Sequence, residues 1–181
     1  ELAITNRETR QMFVGMFQGW FRDTKASADY NSFVQALLLD DVRAMTNYMN
    51  KVSLAVFSYF DTGNHPSEET EPERFYHGFV LGLMADMRDR FVLTSNRESG
   101  FGRYDVMLEP KNDKDNAVII EFKVYDDYDE KGLEDTVQAA LRQIEEKKYR
   151  EALVEKGFAE DRIRAYGFAF QGKKVLIGRG E

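Results

Sequence analysis

The segment 117–124 carries two charged side chains whose spacing suggests chemistry. Its residues alternate as in a β-strand, and apolar side chains fill one face without interruption. Glu121 and Lys123 are two residues apart, so both project from the other face. Burying a carboxylate and an ammonium in a sheet is costly unless each group is paired or binds something. The two residues therefore form either a structural ion pair on a solvent-exposed face or part of a functional site.

A second carboxylate is expected beside the first. The segment 103–109 also alternates, with Asp105 on the face opposite to Tyr104 and Val106. A hairpin that joins this strand to the next can place Asp105 next to Glu121. Two adjacent carboxylates repel each other and call for a cation, and oxygen ligands of this kind suit Mg²⁺ or Mn²⁺ rather than Zn²⁺. A lysine at such a centre can orient a water molecule or neutralise charge that develops on a phosphate.

The order of elements from Pro72 onward is predicted to be helix, three strands, helix and two strands. Proline is tolerated in a first helical turn, and an apolar stripe follows it at helical spacing. The later helix is predicted as one long helix that ends near Gly157. The stripes of the two helices are Phe75, Phe79, Leu83 and Met87, then Leu133, Val137, Leu141 and Ile144; the strands are predicted over 91–95, 103–109, 117–124, 163–170 and 174–177.

Residues 1–60 have the periodicity of two or three packed helices, and residues 61–70 have the composition of a linker. We therefore expect a helical segment over 1–62, acting as linker or scaffold, and an α+β domain over 72–181. Because the first residue is Glu1, the chain is expected to be a piece of a longer protein.

Composition excludes several classes of protein. The 181 residues include no Cys and two His, which excludes disulfides, thiol nucleophiles, iron–sulfur clusters and Cys-type zinc sites. No apolar run approaches the roughly 18 residues of a membrane helix, and no signal-peptide pattern opens the chain. A soluble, cytoplasmic domain with no membrane partner is expected. The net charge of -7 argues against tight nonspecific binding to DNA, which needs clustered Lys and Arg.

Asp105 followed by Glu121-Phe122-Lys123 resembles the (D/E)-x-K core of the PD-(D/E)XK nuclease superfamily. The predicted elements reproduce its αβββαβ, restriction-endonuclease-like architecture. Segments spread over roughly 73–178 further resemble the nuclease-like C-terminal domain found behind AAA-ATPase-like domains in bacterial proteins. These segments are 75–79 (FYHGF), 95–105 (SNRESGFGRYD), 120–123 (IEFK), 140–144 (ALRQI) with Tyr149, and 166–170 (YGFAF).

The resemblance implies a role for each matching residue. Asp105 and Glu121 would be metal ligands for Mg²⁺ or Mn²⁺, and Lys123 would be the catalytic lysine. The helix-borne acid of the family would fall at Glu73, and its helix-borne glutamine at Gln143. Each of the last two has a simpler explanation, because an acid is favourable in a first helical turn and a glutamine keeps a helix soluble.

Other residues near these motifs leave alternatives open. Arg97 and Arg103 flank a glycine-containing loop and are either candidate phosphate contacts or surface arginines. His77 lies four residues after Glu73, which is compatible with a ligand pair or a plain side-chain contact. Tyr149 lies six residues after Gln143, about 120° out of alignment on a straight helix, so the Q-x-x-x-Y pattern of recombination nucleases is not present.

The sequence thus predicts Mg²⁺-dependent hydrolysis of phosphodiester bonds in a nucleic acid, with DNA as the expected substrate and an AAA-ATPase-like domain as the expected partner in the same chain. Two alternatives stay open. One is a catalytically idle nuclease fold that mediates interaction or regulation for the attached ATPase domain. The other is a metal-dependent phosphoesterase that acts on small substrates in a closed pocket.

Overall fold

A computed structural model describes residues 30–60, 71–99 and 102–180. The predicted helical stripe in the first 29 residues and the predicted linker over 61–70 lie outside this part of the chain. Its elements, in order, are α1 (Tyr30–Leu39), α2 (Val42–Phe60), α3 (Glu71–Met84), a 3₁₀ turn (Ala85–Asp89), β1 (Phe91–Ser99), β2 (Gly102–Pro110), β3 (Ala117–Val124), α4 (Leu133–Glu146), α5 (Tyr149–Glu155), β4 (Ile163–Gln171) and β5 (Lys174–Arg179).

The five strands form one mixed sheet in the order β1-β2-β3-β4-β5. Only the β3–β4 pair is parallel, and its crossover connection contains α4 and α5. This is the arrangement that a strand–helix–strand unit requires, because parallel neighbours cannot be joined by a tight turn. The α+β class and the αβββαβ core, consistent with a restriction-endonuclease-like fold, are confirmed.

Helices cover both faces of the sheet. On one face, α1, α2 and α3 pack against the aromatic residues of β3 and β4. On the other face, α4 and α5 pack against smaller residues, including Ile119, Ala165 and Ala169. The alternation of β4 explains the difference, since Tyr166, Phe168 and Phe170 point to the first face. The second face therefore lets helices approach closely.

The helices of 30–60 join this sheet directly. Phe33, Leu37, Met45 and Met49 have no exposed surface and belong to the same apolar cluster as the sheet. The Asn50 amide donates to the carbonyl of Val175 at 2.7 Å and accepts from its N–H at 3.0 Å. Packing and main-chain hydrogen bonds thus attach α2 to the edge strand β5. In the described part of the chain, no helix has both the length and the apolar character needed to cross a bilayer.

The prediction of one long helix after β3 was wrong. The helix ends at Glu146, and α5 begins at Tyr149 after Lys148, which has a left-handed backbone with φ of 54°. A lysine in this conformation costs roughly 1–2 kcal/mol, so packing of the second segment must offset the break. Tyr149 and Leu153, both without exposed surface, supply that packing.

Candidate active site

Asp105 and Glu121 lie on neighbouring strands and face the same side of the sheet. β2 and β3 pair antiparallel, with Met107 opposite Ile119. Asp105 comes two residues before Met107, and Glu121 comes two residues after Ile119. Both Met107 and Ile119 belong to the cluster beneath α4 and α5. The N–H of Phe122 donates to Asp105 Oδ2 at 2.8 Å, which joins the two strands at this level.

Glu121 is held beneath α4. Its side chain is only 2% exposed, and Gln143 Nε2 donates a hydrogen bond to Glu121 Oε1. Lys123 follows on the same face and is half-buried, and it forms no ion pair with any residue that the structure describes. A structural Glu–Lys pair on a solvent-exposed face is therefore ruled out. Gln143 contacts the site itself, so helix solubility does not account for it.

Two glycines allow α4 to reach Glu121. Gly167 on β4 pairs with Glu121 on one side and with Gly178 of β5 on the other. A Cβ atom at Gly167 would lie 2.8 Å from the carbonyl oxygen of Val137, and one at Gly178 would lie 2.4 Å from Val137 Cγ1. Real Cβ atoms essentially never come so close to other atoms. The absence of side chains at Gly167 and Gly178 thus lets α4 pack close to the sheet. This short distance brings Gln143 of α4 within hydrogen-bonding distance of Glu121.

Tyr149 lies on the same face of the sheet as Glu121, although its spacing from Gln143 argued against a role for it. Burial raises the pKa of its phenol, and the negative charges of Glu121 and then Asp105 raise this pKa further. The two carboxylates therefore act on one phenol, which the break at Lys148 brings to this face. The offset of about 120° applies to one straight helix, whereas the chain breaks at Lys148, so the offset does not describe where Tyr149 lies. No glycine or asparagine marks the left-handed position, so the sequence carried no signal for it.

His77 touches the site from the opposite face of the sheet. Its Nε2 atom lies 2.8 Å from Ser95 Oγ and 3.1 Å from the main-chain oxygen of Asp105. Its ring centroid is 5.4 Å from that of Phe122. Whether His77 and Glu73 form a pair is not tested, because the side chain of Glu73, in the first turn of α3, lies outside the described residues.

Both arginines lie in strands: Arg103 in β2, where a strand was predicted, and Arg97 in β1, beyond the predicted end of that strand. β1 extends to Ser99 and β2 begins at Gly102, with Arg97 opposite Tyr104 and Arg103 opposite Glu98. The sequence predicts the first strand only over 91–95, because the polar residues after Ser95 resemble a loop. The side chains of both arginines lie outside the described part, so their contact with phosphate stays a prediction.

The donor set at this face suits a hard divalent cation. In the described part of the chain, no group of three or more His, Cys, Asp or Glu side chains is arranged to hold a metal ion. Two carboxylates remain, Asp105 and Glu121, which face the same side of the sheet on neighbouring strands. Mg²⁺ is usually bound in this way, by one or two carboxylates together with waters and substrate phosphates. The residues therefore fit an open Mg²⁺ or Mn²⁺ site, and they do not fit a closed site in which the protein supplies every ligand.

Comparison with known proteins gave one informative result. Neither the curated proteins nor the solved structures include a match to this chain. A protein-family model does match, over residues 71–180, from the first turn of α3 to the end of the sheet. The matched range includes Asp105, Glu121 and Lys123, which are the positions expected from the motif. The chain belongs to the PD-(D/E)XK nuclease superfamily.

Proposed function

We propose that this chain hydrolyses phosphodiester bonds of a nucleic acid, with DNA as the substrate, in a reaction that depends on Mg²⁺ or Mn²⁺. The observation that supports this most strongly is the shared sheet face of Asp105, Glu121 and Lys123, with Glu121 buried beneath Gln143. Superfamily membership supports nuclease-type chemistry as the class of reaction.

Each side chain has a distinct task in this proposal. Asp105 and Glu121 hold the cation, and the hydrogen bonds from Phe122 and Gln143 fix their orientation. A divalent cation, when bound, polarises the phosphate and lowers the pKa of a water. Lys123 orients the attacking water or neutralises charge that develops on the phosphate.

The remaining predicted residues complete the proposal. Glu73 would add a helix-borne acid from α3, and Arg97 and Arg103 would contact the phosphate backbone from the hairpin β1–β2. An AAA-ATPase-like domain in the same full-length chain is the proposed partner, in the cytoplasm. The net charge of -7 favours a second candidate, an idle nuclease fold that serves this partner as an interaction or regulatory module.

The test is cleavage of plasmid and linear DNA in Mg²⁺, Mn²⁺ or Ca²⁺. Lys123→Met keeps the stem and removes the ammonium, and should lower the cleavage rate by about 10²-fold or more while metal binding persists. Asp105→Asn keeps an oxygen acceptor for the Phe122 N–H and removes the charge, so metal binding itself should weaken. Lys114→Met, on the exposed β2–β3 turn, is the matched control and should cleave like the wild type. Ca²⁺ should permit binding without efficient cleavage because its coordination is looser.

Two results would decide against nuclease activity. A wild-type protein that cuts no substrate, and that shows no Mg²⁺ or Mn²⁺ binding in isothermal titration, would favour the idle module. Cleavage that persists in both Lys123→Met and Asp105→Asn would show that the activity belongs to a contaminant or to another site.

A further inference from the structure

His77 contacts Asp105 through the main chain and not through the carboxylate. The side chain of Asp105 points towards α4 and α5, whereas His77 belongs to α3, on the other face. His77 Nε2 contacts the main-chain oxygen of Asp105, at 3.1 Å, from the face opposite to the Asp105 side chain. His77 therefore contacts β2 on the face covered by α3. Any effect of this contact on the Asp105 carboxylate would appear on the face covered by α4 and α5.

The tautomer of His77 decides the character of this contact. A carbonyl oxygen can only accept a hydrogen bond, so in the tautomer that carries its hydrogen on Nε2 the histidine donates to Asp105. The hydroxyl of Ser95, 2.8 Å from the same nitrogen, lies on β1 and places the ring between the two strands. His77 of α3 thus contacts both β1, at Ser95, and β2, at Asp105.

A second contact connects His77 with the next strand. Its ring packs at 5.4 Å against that of Phe122, which lies between Glu121 and Lys123 in the chain. The N–H of Phe122 in turn donates to Asp105 Oδ2 at 2.8 Å. The three residues form a connected unit, in which the imidazole contacts both the main chain of Asp105 and the ring of Phe122.

We infer that His77 is a positioning residue, which orients Asp105 relative to Glu121 through the Asp105 carbonyl and the Phe122 ring without binding the cation. This inference rests on the proposed metal-dependent function. Residues that orient metal ligands typically change metal affinity or activity by 10- to 100-fold when they are replaced. A histidine that only filled the core would affect stability and leave metal affinity unchanged.

The experiment compares His77→Phe, which keeps a ring and removes the donor, with His77→Gln, whose amide nitrogen can approach the position of Nε2. Mn²⁺ binding is measured by isothermal titration without DNA, cleavage is separated into kcat and KM, and thermal unfolding checks the fold. His77→Phe should bind Mn²⁺ about tenfold more weakly and lower kcat with little change in KM. His77→Gln should recover most of both losses. If His77→Phe does not fold, His77→Asn, whose shorter amide does not reach the Asp105 carbonyl, takes its place in the comparison.

Each other outcome overturns the inference in a recognisable way. Wild-type Mn²⁺ affinity in His77→Phe shows that the contact does not position Asp105. Equal impairment in the Phe and Gln variants shows that a restored donor does not restore the site, which overturns the role given to the hydrogen bond. Complete loss of Mn²⁺ binding in folded His77→Phe and His77→Gln makes His77 a ligand. A wild-type protein that binds no Mn²⁺ overturns the proposed function, and this inference with it.

Discussion

The contact between Gly178 and Val137 allows a sharp test of how the sheet positions α4. Replacing Gly178 by Ala adds one Cβ atom, 2.4 Å from Val137 Cγ1 and 3.6 Å from Val137 Cβ. The backbone of Gly178 does not have a positive φ, so alanine causes no backbone strain there. Any loss of stability therefore comes from the collision, which either a change of the Val137 rotamer or a shift of α4 away from β5 must relieve.

The expected magnitudes follow from packing. Overpacking of a close contact costs about 1–3 kcal/mol, which is the loss expected for Gly178→Ala. Val137 is 4% exposed, so Val137→Ala removes two buried methyl groups and should cost about 1–3 kcal/mol as well. In the double variant the new Cβ occupies space that Val137 Cγ1 has left. The double variant should therefore lose less than the sum of the single losses, by about 1–3 kcal/mol.

The assay is urea unfolding of the four proteins of this double-mutant cycle. Additivity within about 0.5 kcal/mol would refute the assigned contact, because independent sites add to that precision. A second measurement links the contact to the site, since α4 also carries Gln143. Mn²⁺ affinity should fall in Gly178→Ala and recover in the double variant.

Three further predictions concern other parts of the fold. A fragment of residues 71–181 should fail to unfold cooperatively, because four fully buried side chains of α1 and α2 contribute roughly 6–12 kcal/mol, as much as a typical whole free energy of unfolding; a monomeric fragment with a native circular dichroism spectrum would contradict this. Burial, followed by the hydrogen bond to Asp40, raises the pKa of Tyr166. The stabilising effect of the protonated phenol is therefore complete below the unfolded pKa of about 10 and is lost as the pH rises further. Tyr166→Phe should flatten the fall in stability between about pH 9 and 11, measured by urea unfolding. Lys148→Gly should raise the free energy of unfolding by about 0.5–1 kcal/mol in thermal or urea unfolding, because glycine relieves the strain of the left-handed backbone. Lys147→Gly, at a helical φ of -85°, should lower it by a similar amount. Equal effects of the two substitutions would contradict this explanation.

Local periodicity was enough to predict the elements that carry the site. The alternation of β3 placed Glu121 and Lys123 on one face, and the hairpin before it placed Asp105 beside them, because both features depend only on the two-residue period of a strand. The helical stripe after β3 placed Gln143 on the flank of α4. These predictions needed no knowledge of how the helices lie on the sheet.

The contacts that depend on tertiary packing could not be predicted in this way. Tyr149 packs on the face of the carboxylates after the helix breaks at Lys148, and a lysine is not a residue that marks such a break. Gly178 becomes meaningful only when Val137 is known to lie above it. The contact of His77 with the Asp105 carbonyl joins elements 28 residues apart, and no periodicity within α3 indicates it.

The position of α1 and α2 shows that a family match and a folding unit are different things. The match begins at residue 71, yet the face of the sheet that carries Phe168 and Ile177 is covered by Phe33 and Met49, which precede it. The N–H of Ile177 also donates to Thr46 Oγ1 at 3.2 Å, so β5 is bound to α2 as well as packed against it. Without α1 and α2, only α3 would cover this face, and the surface that Phe33 and Met49 bury would be exposed to water. The helices before the matched range therefore belong to the structure that holds the candidate site.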